Sequence, residues 1–251
     1  MKTTKQFLIL AVLFFTVISC AKKKNAPLQV NKECKLNEIV YSYEDGTPSK
    51  KETFNYDDKS RIIKVNYFDG TRNYQSTITY NLTEIVYSSY DNQVVKYQLD
   101  ASNRVISDSE GFAYTYNNDG YLIRKSTSNS DFTKVITYTY ENQNLVKTEE
   151  KVTLNSGFET KTLNTYEYGS EVANKQYVNF LFFGIGYQLI QREIMKSFFG
   201  KSSKNLPIKQ IRSDDTSTFT YIKDTTGKIT GVKINIIGSE KVNLQYNYMC
   251  L

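Results

Sequence analysis

The chain of 251 residues contains no histidine and no tryptophan. Without an imidazole there is no Ser-His-Asp triad, no histidine base and no histidine metal ligand, which removes most hydrolase mechanisms. Its three cysteines, Cys20, Cys34 and Cys250, lie too far apart for a metal-spaced set. P-loop and dinucleotide fingerprints are also missing, so no metal and no cofactor is expected. Only 12 Gly and 3 Pro are present, against 39% hydrophobic and 23% charged residues. That balance excludes disorder and a collagen-like repeat. The one excess is aromatic: 21 Tyr and 14 Phe.

The longest apolar run comes first. Lys2 and Lys5 precede an unbroken stretch from Phe7 through Phe15, followed by Val17, Ile18, Ser19 and Cys20. Residues 1–19 read as a secretory signal, since about a dozen apolar residues fall short of the roughly 20 that span a bilayer. A small residue directly before a cysteine resembles a bacterial lipobox. By that resemblance Cys20 is the lipidated new N-terminus, and each buried acyl methylene contributes about 0.8 kcal/mol of membrane affinity. Residues 20–35, with Lys22, Lys23 and Lys24, read as a tether, and residues 36–251 as a single β domain. Where such lipoproteins are common, acidic residues after the lipidated cysteine accompany surface export. Lysines there point instead to an outer-membrane anchor facing the periplasm.

The formal charge of +6 does not imply a nucleic-acid partner. Seven lysines but one acidic residue lie in the first 35 positions, and the remainder is balanced. With Cys20 acylated, Cys34 and Cys250 remain as a disulfide candidate in an oxidising compartment, because first and last strands of a closed antiparallel sheet are neighbours. The alternative is two unrelated thiols at the chain ends.

From residue 37 to 179, short alternating runs such as Ile63-Val65-Tyr67 and Ile136-Tyr138-Tyr140 are broken by Asp, Asn and Gly turns. Val242-Leu244-Tyr246-Tyr248 alternates the same way near the end. About fifteen strands of ordinary length are expected. An aromatic or β-branched residue, a spacer and a tyrosine recur as Phe54/Tyr56, Ile78/Tyr80, Tyr114/Tyr116, Tyr138/Tyr140, Tyr166/Tyr168 and Phe219/Tyr221. Several copies run into a turn and a new strand, as in Tyr56 to Ile62 and Tyr116 to Leu122. These copies resemble degenerate tyrosine-aspartate (YD/RHS-like) repeats of bacterial surface proteins. One interruption, at about 180–200, places Tyr187, Ile190, Ile194 and Phe198 at helical spacing, predicting an amphipathic helix that ends at Gly200 and packs on or plugs the sheet.

Lipobox, tyrosine-rich meander, apolar helical insert, the stretch Ser203-Lys204-Asn205-Leu206-Pro207 and closing strands around Thr226 and Gly227 together resemble a Bacteroidota-type lipoprotein family with a porin-like β fold. The resemblance implies a curved or closed antiparallel sheet and brings no catalytic residue. Alternation alone leaves open a membrane barrel, in which apolar residues face lipid. Strands of 6 to 8 residues, shorter than the roughly 9 to 11 needed to cross, favour a soluble domain.

Asp57, Asp58, Asp214 and Asp215 lack calcium-loop spacing and read as turn residues. Glu149 and Glu150 are adjacent on a strand and face opposite ways, so they are no catalytic pair. The expected role is a membrane-anchored envelope lipoprotein, non-enzymatic, with a glycan, a hydrophobic ligand or an envelope protein as partner. The contrasting expectation is a carboxylate-dependent enzyme acting on envelope polysaccharide.

Overall fold

The computed structural model describes residues 34–173, 196–213, 215–238 and 241–250. Sixteen strands follow one another: β1 (Cys34–Tyr43), β2 (Pro48–Tyr56), β3 (Ile62–Phe68), β4 (Asn73–Tyr80), β5 (Glu84–Ser88), β6 (Val94–Leu99), β7 (Val105–Asp108) and β8 (Ala113–Tyr116). They continue as β9 (Leu122–Ser128), β10 (Phe132–Glu141), β11 (Asn144–Leu154), β12 (Glu159–Val172), β13 (Asn205–Ile211), β14 (Thr216–Lys223), β15 (Ile229–Ile236) and β16 (Val242–Cys250). Every strand pairs antiparallel with its sequence neighbours, and β16 returns to β1. The expected meander is thus closed, as a sixteen-stranded barrel with no free edge.

Antiparallel order sorts the connections onto two rims. Odd strands begin and even strands end at the rim that carries Cys34 and Cys250, here the terminal rim. The opposite, or far, rim carries the connections from β1 to β2, β3 to β4 and so on. Cys34 stands directly opposite Cys250 in the β1–β16 register, and their sulfurs are bonded across the seam. The expected amphipathic helix lies largely outside the described residues, and within them its last part, Lys196–Phe198, forms a single 3-10 turn.

Alternation decides what the barrel encloses. Val65, Ile85, Val105, Leu145 and Val232 are at most 1% exposed, and in a closed sheet of one chain only the interior can hide a whole row of side chains. The same row carries Ile39, Phe54, Ile78, Tyr97, Tyr138, Tyr166, Phe219, Leu244 and Tyr246. Burying each aliphatic residue contributes about 1.5–3 kcal/mol, which is why the registers hold. Several polar groups in this row are paired: the Tyr41 hydroxyl donates to Glu52 Oε1 (3.1 Å), Tyr87 to Ser76 Oγ (3.1 Å) and Tyr114 to Asp108 Oδ2 (2.6 Å).

The opposite row carries the charge. Glu38 meets Lys51 at 2.8 Å, Glu149 meets Lys161 at 2.9 Å and Lys147 at 3.1 Å, and Glu167 meets Lys209 at 3.0 Å. Lys64, Lys96, Arg124 and Lys233 stand on the same outer row of their strands. Glu150 turns the other way from Glu149 and pairs with Lys134 at 2.8 Å.

Candidate functional site at the terminal rim

At the terminal rim the tyrosine repeat becomes a structure. Five of the repeat tyrosines, and Tyr248 of the last strand, donate their hydroxyls to backbone carbonyls near the start of the preceding strand: Tyr56 to Leu36 (2.5 Å), Tyr80 to Ile62 (2.8 Å), Tyr116 to Val105 (2.7 Å), Tyr168 to Leu145 (2.8 Å), Tyr221 to Pro207 (2.7 Å) and Tyr248 to Ile229 (2.8 Å). The pairing register slips by a bulge beside most of them, between Asn55 and Tyr56, Thr115 and Tyr116, and Glu167 and Tyr168. A bulge adds local twist and re-aims the side chain, which swings each ring against the neighbouring strand.

A second pattern interlocks with the first. Asp57 Oδ1 accepts the backbone N–H groups of Lys59 (3.0 Å) and Arg61 (2.8 Å), and Asp57 Oδ2 accepts from Arg61 Nε (2.8 Å). The Arg61 guanidinium lies 4.3 Å from the Tyr80 ring centre, and that tyrosine bonds the carbonyl of the next residue, Ile62. Asp100, Arg104, Val105 and Tyr116 repeat the arrangement, with the guanidinium 4.8 Å from the ring. Asp224, Lys228, Ile229 and Tyr248 repeat it again, with the ammonium 3.5 Å from the ring. Each unit is an Asp, a cation four residues on, and an aliphatic residue whose carbonyl receives a tyrosine from the next even strand. In sequence this is D-x-x-x-[RK]-[IV], at 57–62, 100–105 and 224–229. The tyrosine spacing alone does not show it, because Leu99 stands where the second copy would carry a tyrosine.

One unit departs. Asn117, Tyr121, Leu122 and Tyr140 hold the corresponding places, but Tyr121 replaces the cation and packs against Tyr140 with the rings tilted and their centres 4.7 Å apart. Among the described residues the Tyr140 hydroxyl has no hydrogen-bond partner. Burial raises the pKa of these phenols, to about 12 for Tyr56 and Tyr248 and further for Tyr80, Tyr116, Tyr140 and Tyr168.

The stretch from Lys196 to Lys204 crosses this rim. Phe198 stacks on Tyr80 at 5.8 Å, while Phe199 meets Tyr97 at 5.9 Å and Tyr114 at 5.3 Å. Gly200 bridges to Tyr121, and the Lys201 N–H donates to Gly120 O (2.9 Å). Ser203 Oγ accepts the Leu145 N–H at 3.1 Å and lies 3.0 Å from the Tyr168 hydroxyl. The segment thus touches β4, β6, β8, β11 and β12. Between it and the first two Asp-cation units lies a cleft of 340 Å³, lined by Arg61, Tyr80, Asn81, Asn103, Ser197 and Phe198 among others. Arg61, its cation, is already engaged by Asp57 at 2.6 Å.

Two solved structures share this architecture. A porin-like protein from Bacteroides uniformis superimposes with a TM-score of 0.60 at 19% identity, over 85% of this chain and 96% of its own. A porin-like protein from Bacteroides vulgatus gives 0.61 at 10% identity, over 87% and 100%. The fold is porin-like. At such identities the likeness is one of fold, and no family model and no curated protein matches the sequence.

Within this porin-like barrel the residues singled out in the sequence are placed as follows. Cys34 and Cys250 close the seam at the terminal rim. Cys20 and Asp214 lie outside the described residues. Asp57 serves its turn, and Asp215 accepts from the Arg212 backbone through its carbonyl while its carboxylate lies 3.8 Å from that guanidinium. No cluster of Cys, Asp and Glu able to hold a metal occurs among the described residues. The buried carboxylates Glu52 and Asp108 each accept from a tyrosine.

Proposed function

We propose that this chain is a lipid-anchored envelope barrel that stands in water beside the outer membrane, facing the periplasm, rather than a channel through it. Residues 1–19 direct export, Cys20 carries the acyl anchor, and the following residues link it to the barrel. The role is non-enzymatic: a scaffold or a surface for a partner.

The observation that carries this reading is the direction of the side chains. A membrane barrel turns apolar residues outward, and an Arg or Lys on its lipid face costs about 2–4 kcal/mol at the bilayer midplane. Here the outer row holds Lys51, Lys64, Lys96, Arg124, Lys147, Lys161, Lys209 and Lys233, distributed around the circumference. The apolar row faces the interior, opposite to a lipid-embedded barrel. A porin-like fold and a water-facing exterior are compatible if the membrane attachment is covalent.

The test is fractionation of cells making the full chain and its Cys20→Ala variant, with the mature N-terminus identified by mass spectrometry. The expected result is an acylated Cys20 and a wild-type protein in the membrane fraction, with the variant released folded by carbonate washing. A variant that stays in the membrane through the wash would overturn the reading, as would an unmodified Cys20.

A further inference from the structure

Closure gives every strand two neighbours, but at the far rim β12 outruns one of them. On the β11 side its pairing runs in unbroken register from Glu159, opposite Thr153, to Thr165, opposite Lys147. On the β13 side pairing starts only at Thr165, opposite Ile211. β12 has 14 residues against 7 in β13, and past Ile211 the Arg212 N–H turns back onto Asp215 O (2.8 Å). Residues 159–164 therefore form an edge with no strand beside it among the described residues. At the terminal rim, tyrosine hydroxyls take up strand-end carbonyls; none reaches this edge.

The Leu154 N–H donates to Phe158 O (2.8 Å), which sets the parity of the ladder. Phe158, Thr160 and Thr162 turn their backbone groups toward β11, while Glu159, Lys161 and Leu163 turn theirs to the open side. All five residues from Glu159 to Leu163 are exposed. A regular open row of this kind is a template for a further strand, and proteins that refuse one place a proline, a bulge or lysines there. This edge has no proline and no bulge, and its one lysine alternates with a glutamate.

The order of those charges names the occupant. Beside a second copy running antiparallel about a two-fold at Thr160, Glu159 stands opposite Lys161 of the second copy, and Lys161 opposite its Glu159. On the other face Thr160 meets Thr160, and Phe158 meets Thr162. Opposite charges and threonine pairs both stabilise an antiparallel pair. A two-fold at Lys161 sets lysine on lysine, and one at Thr162 separates Glu159 from Lys161. The two-fold at Thr160 also makes each Glu159–Lys161 contact a hydrogen-bonded pair, so the open N–H and C=O groups of both residues are satisfied. It extends the charge network already on this face, where Lys151 meets Glu159 at 2.6 Å and Glu149 meets Lys161 at 2.9 Å. Each barrel body lies beyond Thr165, so the antiparallel arrangement sends the two bodies to opposite ends of the joined strands. We infer that the far-rim edge of β12 pairs with the same edge of a second copy of this chain, an isologous contact that joins two barrels through one continuous sheet. This goes beyond the anchored reading and does not depend on it.

The two-fold supplies the experiment. Facing Cα atoms in a non-hydrogen-bonded antiparallel pair lie about 4.5 Å apart, within reach of a disulfide, whereas the two Thr162 positions stand roughly 14 Å apart. Full-length Thr160→Cys and Thr162→Cys, with the parent chain as reference, are oxidised in intact cells and after purification, and run on non-reducing gels. The expected result is several-fold more reducible dimer from Thr160→Cys than from Thr162→Cys or the parent. Adding Lys161→Pro, which removes an open-side N–H and no bond to β11, is expected to abolish that dimer with circular dichroism unchanged. Adding Glu159→Lys or Lys161→Glu to Thr160→Cys is expected to lower the yield several-fold in each variant alone, and mixing the two variants to restore it. Sedimentation of the two charge variants and of their mixture gives the same reading without an added thiol, should Thr160→Cys misfold. Equal yields from both cysteines, indifference to Lys161→Pro, no recovery on mixing, or a Thr160→Cys product with a different protein overturns the pairing.

Discussion

Six terminal-rim tyrosines, Tyr56, Tyr80, Tyr116, Tyr168, Tyr221 and Tyr248, do two jobs, covering the interior with the ring and satisfying a strand-end carbonyl with the hydroxyl. Removing one hydroxyl strands that carbonyl, which costs about 1–3 kcal/mol when the group is buried. Tyr116→Phe is therefore expected to lower stability by about 1–2 kcal/mol in urea unfolding, because it severs the 2.7 Å bond to Val105. Tyr140→Phe removes a buried hydroxyl that has no partner among the described residues, and is expected to be neutral or slightly stabilising. Equal losses in the two variants would show that the ring, not the hydroxyl, holds the rim. The same burial sets an alkaline limit. A phenol whose folded pKa is raised keeps its stabilising effect below the unfolded value near 10 and loses it as pH rises toward the folded value. For Tyr56 and Tyr248 that value is about 12, so phenolate absorbance and loss of strand circular dichroism are expected to rise together between about pH 10 and 12. Phenolate formation complete well before unfolding would contradict this.

Among the elements, the hairpins were legible because their alternation and turn chemistry agree with the structure they form. Tyr56-Asp57 and Tyr116-Asn117 mark both a strand end and a capped turn, and the tyrosine spacing located both strand ends. The Asp-to-cation unit was harder to see, since Arg61 and Tyr80 meet only after β3 and β4 have paired. The segment after Lys196 was harder still. Of the expected helix only the last part is described, a 3-10 turn at Lys196–Phe198, and Ser203 acts through contacts with Leu145 and Tyr168, far away in sequence. Gly200 is what lets this segment cross the rim. Its φ is +85°, and a Cβ there would stand 2.5 Å from Gly120 O and 3.0 Å from the Tyr116 ring. Gly200→Ala is expected to cost about 1–3 kcal/mol through backbone strain. It should also open the 196–204 stretch to limited proteolysis while the sheet signal persists. Unchanged cleavage would mean the crossing does not depend on the Tyr121–Gly200 bridge.

At the scale of the molecule, patterning gives two faces but not which one is inside, and charge resolves it. Alternation in β2 or β11 is the same whether Lys51 and Glu149 face lipid or water. Once closure is known, the burial of Val65 and Leu145 places the apolar row within. Closure brings the first and last strands together along Cys34–Tyr43 and Val242–Cys250, with the Cys34–Cys250 bond at the rim where the chain enters. A cross-link between residues 216 positions apart restricts nearly the whole unfolded barrel, and loop-closure entropy puts its stabilisation at about 5 kcal/mol. Because that effect acts on the unfolded chain, Cys250→Ser is expected to fold into the same barrel with unchanged circular dichroism. Its urea midpoint should fall by an amount equivalent to about 3–5 kcal/mol. Adding reductant to the wild type should reproduce the shift and leave the variant unmoved. If the mature wild type instead alkylates at both thiols without reductant, the seam is held by the β1–β16 ladder alone, and the two midpoints will coincide.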